Sequence, residues 1–409
     1  MNRRYYRFTI ELVSPLSLSS GLNENTDSDV LLDSRRRPYI PATSIAGVLA
    51  SKLECNDKKR LYGKIGNNDD NEQSHIIFYD AEFTCEKAIV SVRDSVALEN
   101  KVGVDGAKFD FEIVEPPACF LAYIELDDKI SDEDEMLFVQ QLSALNDGIL
   151  RFGRKTTRGY GQVRLNDVKR IAFSDPIKWL DFDMYEENCW TDAETLIFSD
   201  FTADTDIIKL ELKLKSALSI RSYTTELPEG SENTAPDYKY LSLRDGKPVI
   251  PGTTWAGAFR DRFTHFTSKA ARDELFGFVE QNTSNTQKSK IAFSESVFED
   301  SSYKKKLITR NSIDRFSAAT NDGALYTELT IFGGKTELTL TLDKDTSKEN
   351  KAALLAVIAD LDKGFLSIGG LTSIGRGIFE VDNLYVNGED MTEEFKDFKF
   401  TEIIGGEQK

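Results

Sequence analysis

An α+β fold built twice in tandem is the class this sequence predicts, each copy a ferredoxin-like or RNA-recognition-like sandwich with an inserted hairpin and a Gly-rich loop. Three observations carry this. The stretch Gly148-Ile-Leu-Arg-Phe-Gly153-Arg-Lys-Thr-Thr-Arg-Gly159-Tyr-Gly161 returns as Gly364-Phe-Leu-Ser-Ile-Gly369-Gly-Leu-Thr-Ser-Ile-Gly375-Arg-Gly377, with all four glycines shifted by 216 (364 minus 148). Glycine is selected where φ must be positive or another backbone comes close, so one backbone path is built twice. Pro38-Tyr-Ile-Pro41-Ala-Thr-Ser-Ile-Ala-Gly47 likewise returns as Pro248-Val-Ile-Pro251-Gly-Thr-Thr-Trp-Ala-Gly257, at an offset of 210 (248 minus 38). Ahead of each Gly-rich loop, Phe138, Leu142, Leu145 and Ile149, matched by Leu354, Ile358, Leu361 and Phe365, form one apolar helical stripe.

The first strand of each copy is expected at Tyr6 to Leu12 and at Ile208 to Leu214, where apolar and polar residues alternate. Ser14-Pro-Leu-Ser-Leu18 and Ser216-Ala-Leu-Ser-Ile220 follow at an offset of 202 (216 minus 14), so the loop before the proline signature is eight residues longer in the second copy (210 minus 202). The Pro-x-Ile-Pro entry then leads into a short helix, with Thr43 or Ser44, and Thr253 or Thr254, as the expected hydroxyl N-cap. Ile45, Leu49 and Leu53 share one face of it, as do Trp255, Phe259 and Phe263. The small pairs Ala46-Gly47 and Ala256-Gly257 would admit either a phosphate at the helix N-terminus or a close-packed strand.

Arg93-Asp-Ser95 pairs with Arg310-Asn-Ser312, and Asp105-Gly-Ala107 with Asp322-Gly-Ala324, both at 217 (310 minus 93; 322 minus 105). The Asp-Gly pairs read as turns, and strands at Phe109 to Val114 and Leu325 to Phe332 make a protruding hairpin in each copy. The arginine is either a nucleic-acid contact or the partner of an internal carboxylate. Each Gly-rich loop leads into a last strand, at Gln162 to Leu165 and Ile378 to Val381. An acidic linker, Arg170 to Asp204, with Trp179, Trp190 and a helix near Ala193 to Ser199, separates the copies; the domains are 1–204 and 205–409, and the acidic tail beyond Asn387 is expected to fray.

The 409 residues suit two to three domains and the repeat selects two, while 40% apolar and 29% charged residues fit a soluble globular protein. No stretch approaches membrane-spanning length, and Cys55, Cys85, Cys119 and Cys189 include no close pair, so the reading is cytoplasmic and reduced. A formal charge of −18 argues against a free-standing nucleic-acid binder. It leaves room for a basic groove on an acidic body, and Arg35 to Arg37 with Arg151, Arg154, Lys155 and Arg158 sit beside the repeated motifs; a solvated face explains them equally well from charge alone.

His75 and His265 have no companions at ligand spacing, and there is no Walker loop, nucleophile elbow or dinucleotide fingerprint. Carboxylates remain. Asp27, Asp29 and Asp33 gather in the loop before Pro38, where an aspartate could hold a divalent cation against a phosphate or could simply shape a turn.

Together, Asp27-Ser-Asp-Val-Leu-Leu-Asp33 leading to Pro38-Tyr-Ile-Pro-Ala-Thr-Ser-Ile-Ala-Gly47, and Gly153 to Gly161 with Arg158-Gly-Tyr-Gly161, resemble the RAMP superfamily of CRISPR-associated proteins. Within it they resemble the Cas-seven type backbone subunits of type III effector complexes. The resemblance implies a guide-RNA groove, a thumb hairpin that interrupts the guide-target duplex, and target-RNA cleavage with Mg2+ or Mn2+ by an aspartate shortly before the proline segment. Counting back from Pro38 and Asp33 places that role, and the metal, on Asp27, with Asp29 the nearest substitute. The same count from Asp245 lands on Lys239, leaving Asp237 as a possible second site. Thr43, Ser44, Arg93, Arg154, Lys155, Arg158, Thr253, Thr254, Arg310 and Arg376 would contact RNA phosphates and 2'-hydroxyls. The implied partners are guide RNA, target RNA, and other RAMP and large-subunit proteins of the complex. Two alternatives stay open: a non-catalytic subunit that caps the complex, and a guide-processing nuclease, which the lack of a histidine pair disfavours.

Overall fold

The computed structural model describes residues 2–19, 21, 26–64, 71–99, 102–198, 205–222, 236–280, 285–321 and 323–405, with the backbone alone between 96 and 107. The chain divides into two compact units, Met1–Thr156 with Tyr160–Ala203, and Asp204–Lys409 with Thr157–Gly159. Among the described residues no helix is long and apolar enough to cross a membrane.

The first unit runs β1 (Arg3–Leu12), β2 (Tyr39–Ile40), α1 (Ala42–Leu49), α2 (Cys55–Tyr62), β3 (Ile76–Phe78), β4 (Ala81–Phe83), β5 (Val90–Glu99), β6 (Val102–Val114), β7 (Cys119–Leu126), α3 (Asp132–Asn146), β8 (Val163–Phe173), α4 (Pro176–Leu180) and β9 (Glu194–Thr195). Its main sheet has the order β2-β4-β7-β1-β8-β9, with β3 also on β7. Central β1 is antiparallel to both β7 and β8. With α1 after β1 and α3 between β7 and β8, this is the split βαβ arrangement expected from the sequence. Alternation explains the faces. Tyr6, Phe8 and Ile10 are fully buried against Ile45, Leu49, Phe138 and Leu142 of the helices.

The second unit repeats it: β10 (Thr205–Leu214), β11 (Ala217–Leu218), β12 (Arg221–Ser222), β13 (Tyr238–Tyr240), β14 (Val249–Ile250), α5 (Gly252–Phe263), α6 (Lys269–Phe276), β15 (Phe278–Val279), β16 (Thr286–Gln287), β17 (Ile291–Phe293), β18 (Ser296–Val297), β19 (Lys304–Arg310), β20 (Tyr326–Phe332), β21 (Lys335–Asp343), α7 (Lys348–Asp362), β22 (Phe379–Val386), β23 (Glu389–Asp390), α8 (Thr392–Lys396) and α9 (Phe400–Gly405). The order β17-β21-β10-β22-β23 matches β3-β7-β1-β8-β9 of the first unit, while β14 and β18, placed like β2 and β4, pair as a separate two-stranded sheet; a further sheet, β11-β20-β13-β12, carries β19 on its edge. Trp255, Phe259 and Phe263 are fully buried, as the helical spacing requires.

Each Gly-rich loop closes against the segment that follows the first strand. Gly161 N donates to Pro15 O at 2.8 Å and Phe152 N to Gly161 O at 2.9 Å; Gly377 N donates to Ala217 O at 2.8 Å and Ile368 N to Gly377 O at 2.9 Å. All four glycines of both loops have positive φ. The three residues Thr157–Gly159 pack within the second unit, where Phe293 N donates to Thr157 O at 3.0 Å.

Several expectations need correction. No hydroxyl caps α1 or α5: the N-caps are Pro41 and Pro251, whose rings fix φ near −60°, and Ala42 N donates to the Asp80 carboxylate at 2.7 Å. Asp105-Gly-Ala107 is not a turn but lies inside β6, at the irregular register opposite Val96 and Leu98; Asp322 lies outside the described residues. Phe365 falls past the end of α7 and is 71% exposed, so the second stripe stops at Leu361. Residues 193–198 form no helix. The linker instead folds back over the outer face of the first sheet, where Trp190 and Phe182 pack on Tyr5, Tyr123 and Phe173, and Trp179 Nε1 donates to Tyr5 Oη at 2.8 Å. The tail does not fray before 405, since α8 and α9 bury Phe395 and Ile403.

A buried ionic cluster ties β1, α3 and β8 together. Glu135 accepts from Arg170 Nε at 2.7 Å and Tyr6 Oη at 2.5 Å, and faces Arg4 Nε at 2.9 Å. Burial pushes the Glu135 carboxyl up, but Arg170, Tyr6 and Arg4 outweigh it and hold its pKa below the ordinary glutamate value. Its contribution is therefore present above the unfolded-state pKa and lost as pH falls through the depressed folded one. Glu135→Gln is expected to cost about 2–3 kcal/mol at pH 7 and to flatten the acid limb of a stability-pH profile. An unchanged profile would refute the assignment.

Candidate RNA interface

The loop before Pro38 is organised by its aspartates. Asp29 is 7% exposed and accepts from Thr26 N and Oγ1, both at 2.9 Å, which uses its carboxylate to close the turn and removes it as a surface nuclease group. That turn presents Asp27 outward. Asp27 Oδ2 accepts from Asp110 N on β6 at 3.0 Å, and Asp110 Oδ1 accepts from Asp27 N at 3.0 Å.

The second unit builds the same contact. Asp237, also exposed, accepts from Thr327 N on β20 at 2.6 Å. Asp237 is Asp27 plus 210, and Thr327 is Asp110 plus 217, the offsets of the proline signature and the hairpin. Counting from Asp245 misplaced this register by two residues. The turn that ends the loop is set by Asp33 N to Arg37 O (2.8 Å) in one copy and Leu243 N to Lys247 O (2.9 Å) in the other, so Leu243 is the counterpart of Asp33. Lys239 accordingly answers to Asp29, and the two copies present Asp27 and Asp237 at one place.

Among the described residues no group of three or more His, Cys, Asp or Glu side chains could hold a metal ion. A Mg2+ commonly takes one or two protein carboxylates and completes its shell with water and phosphate oxygens. Asp27 with Asp110 fits that partial donor set, and Asp237 beside Thr327 supplies a single carboxylate.

Arg154 is exposed and its Nη1 donates to Ser28 Oγ at 3.0 Å, which brings the first Gly-rich loop beside Asp27. Lys155 has φ +55°; its Nζ donates to Ser95 Oγ at 3.2 Å and lies 3.4 Å from the Phe111 ring centroid. Arg151 turns inward, donating to Gly148 O and Thr156 O at 2.9 and 3.0 Å, and braces the loop. Arg158 is exposed, in the segment that packs with the second unit.

Other expected contacts move. Thr43 is exposed and Ser44, Thr253 and Thr254 half-buried on the first helical turns, while the Asp80 carboxylate already meets the α1 terminus, which removes Ala42 N–H as a phosphate donor. Arg93 is 3% exposed and not a surface contact. Arg376, expected to contact RNA, is 3% exposed and pairs instead with buried Glu328 at 2.7 Å. Nor do Arg93 and Arg310 correspond. Leu16 bridges Val114 and Leu218 bridges Ile331, which aligns β6 with β20 at 217; Arg310, opposite Tyr326, then occupies the place of Ser95, opposite Phe109. Sequence reasoning missed Asp110, Ser28, Arg221, whose guanidinium lies 4.4 Å from the Tyr238 ring centroid, and the Lys304 to Lys306 run. The last was visible as three consecutive lysines in an acidic chain.

A family model for the RAMP superfamily matches residues 9–164 and 211–380, one stretch in each repeat. No curated protein matches the chain.

Proposed function

Because the chain belongs to the RAMP superfamily, and so is a CRISPR-associated RNA-binding subunit, we propose that it is a fused backbone subunit of a type III effector complex that holds guide RNA and cuts complementary target RNA. The observation that carries this reading is the repeated seat of Asp27 and Asp237, each exposed and each fixed by an amide of the hairpin strand. A carboxylate held at one point of both copies, beside Arg154 in the first, suits a task done twice along one RNA.

The chemistry is transesterification. The target 2'-oxygen forms a bond to the adjacent phosphorus, the bond to the 5'-oxygen breaks, and the 2'-hydroxyl proton passes to solvent while the leaving oxygen takes one up. Mg2+ or Mn2+, held by Asp27 with the RNA phosphate, would supply charge neutralisation there. Asp27 positions, Asp110 orients Asp27 through paired hydrogen bonds, and Arg154 offsets phosphate charge. Backbone and phosphate contacts ignore base identity, so guide pairing supplies the sequence.

The test is cleavage of end-labelled complementary RNA by the assembled complex with magnesium or manganese. Asp27→Ala and Asp237→Ala are each expected to abolish one cut by at least about 100-fold while target binding holds. An unchanged pattern in the double variant would leave the alternative, a non-catalytic subunit that holds one end of the guide-target duplex.

A further inference from the structure

The two copies carry their positive charge in different places. In the first sequence repeat it sits on the Gly-rich loop, at Arg154, Lys155 and Arg158; shifted by 216, these positions are Gly370, Leu371 and Ile374 in the second repeat. The backbone is retained, for Leu371 keeps the left-handed conformation of Lys155, with φ +57° against +55°. What the second loop lost, the neighbouring strand gained. By pairing register, Lys304, Lys305, Lys306 and Arg310 of β19 stand where the first unit has Ile89, Val90, Ser91 and Ser95, all uncharged. Ser95 is the residue that Lys155 reaches from the loop; in the second unit Leu371 stands in the loop and Arg310 on the strand.

We propose that the second unit binds an RNA phosphodiester backbone through Lys304, Lys306 and Arg310 of β19, on the hairpin face turned toward the Gly-rich loop. This rests on the RNA-binding reading above and deepens it. Side chains two apart on a strand share a face: Lys304, Lys306 and Arg310 lie opposite Phe332, Thr330 and Tyr326, the face on which Glu328 meets Arg376 of the loop. The row spans about 20 Å, six residues at roughly 3.4 Å each, which suits a chain of phosphates better than a single anion. The lysines are exposed and Arg310 half-exposed, and none of the three side chains forms an ion pair or hydrogen bond with any described residue, although acids outnumber bases 69 to 51 in the chain. Lys306 Nζ lies 5.8 Å from the Phe332 ring centroid and Lys305 Nζ 5.5 Å from that of Tyr240, contacts that orient ammonium groups without neutralising them.

The experiment is binding of a fluorescein-labelled single-stranded oligoribonucleotide to the full-length chain across about 50–200 mM salt. Each phosphate neutralised on a single strand contributes about 0.7 to the log–log salt slope. Replacing Lys304, Lys306 and Arg310 by glutamine is expected to lower the slope by about 2, with an unchanged melting temperature. Lys304→Arg with Lys306→Arg should keep it, and glutamine at Lys52, Lys58 and Lys59, the same charge change elsewhere, should leave it intact. A wild-type slope in the triple variant overturns the inference while the RNA reading stands, and would turn the strand into a seat for an acidic protein surface. Absence of salt-dependent binding by the wild-type chain overturns both.

Discussion

Alanine at Gly161 or Gly377 is expected to unfold the unit that carries it. A Cβ at Gly161 would stand 1.8 Å from Phe152 O, and one at Gly377 1.9 Å from Ile368 O. Both contacts are backbone, closed by the paired hydrogen bonds that shape the loop, so neither side can give way without opening it. The φ values, +75° and +73°, add strain for any L side chain. We expect a loss above about 4 kcal/mol, seen in urea denaturation as the early departure of one transition. Gly257, exposed on α5 with nothing within 4 Å of a Cβ, supplies the contrast: alanine there should be neutral or stabilising by up to about 1 kcal/mol. A Gly377→Ala chain that melts with the wild type would mean that the loop is not built as described.

Breaking the buried pair beneath the second loop is the other large effect. Arg376 and Glu328 are 3% and 2% exposed, and beyond their mutual bond Arg376 Nη2 and Glu328 Oε2 have no hydrogen-bond partner among the described residues. Arg376→Met strands a buried carboxylate, at about 3–5 kcal/mol. The first unit shows what can stand there instead. Tyr160 and Phe111, the counterparts of Arg376 and Glu328, are 2% and 3% exposed with ring centroids 6.0 Å apart. The double variant Glu328→Phe, Arg376→Tyr should therefore recover most of that loss, and thermal denaturation of the single and double variants decides it. A double variant as unstable as the single would mean that the two sockets are not equivalent.

The glycine frame, the strands and the helical faces were legible because each follows from a local rule: positive φ, alternation, or helical spacing. Registers were less so. Arg93 and Arg310 look alike in sequence, yet the hairpin ladders set them two residues out of step, and only the pairing of β5 with β6 and β19 with β20 reveals it. Asp237 was obscured by an aspartate at the wrong point of a turn. Tertiary partners decided the rest. Asp80 takes the helix terminus assigned to a hydroxyl, and an acidic linker is recruited as a cover because its aromatic residues find Tyr5 and Tyr123.

The Tyr160–Phe111 and Arg376–Glu328 pairs also bear on how the chain assembles itself. Each loop seats on a carbonyl laid down well over a hundred residues earlier, Pro15 for one and Ala217 for the other, through the same backbone bonds. Two near-identical sockets in one polypeptide invite the wrong loop during synthesis or refolding. Arg376 seated on Phe111 would bury a guanidinium with no counter-charge, and Tyr160 seated on Glu328 would leave that carboxylate bare. The divergence of the pairs would thus favour each loop's own socket, and a variant made symmetrical by Glu328→Phe and Arg376→Tyr, though most of its stability is recovered, is expected to refold with more mis-seated chains than the wild type.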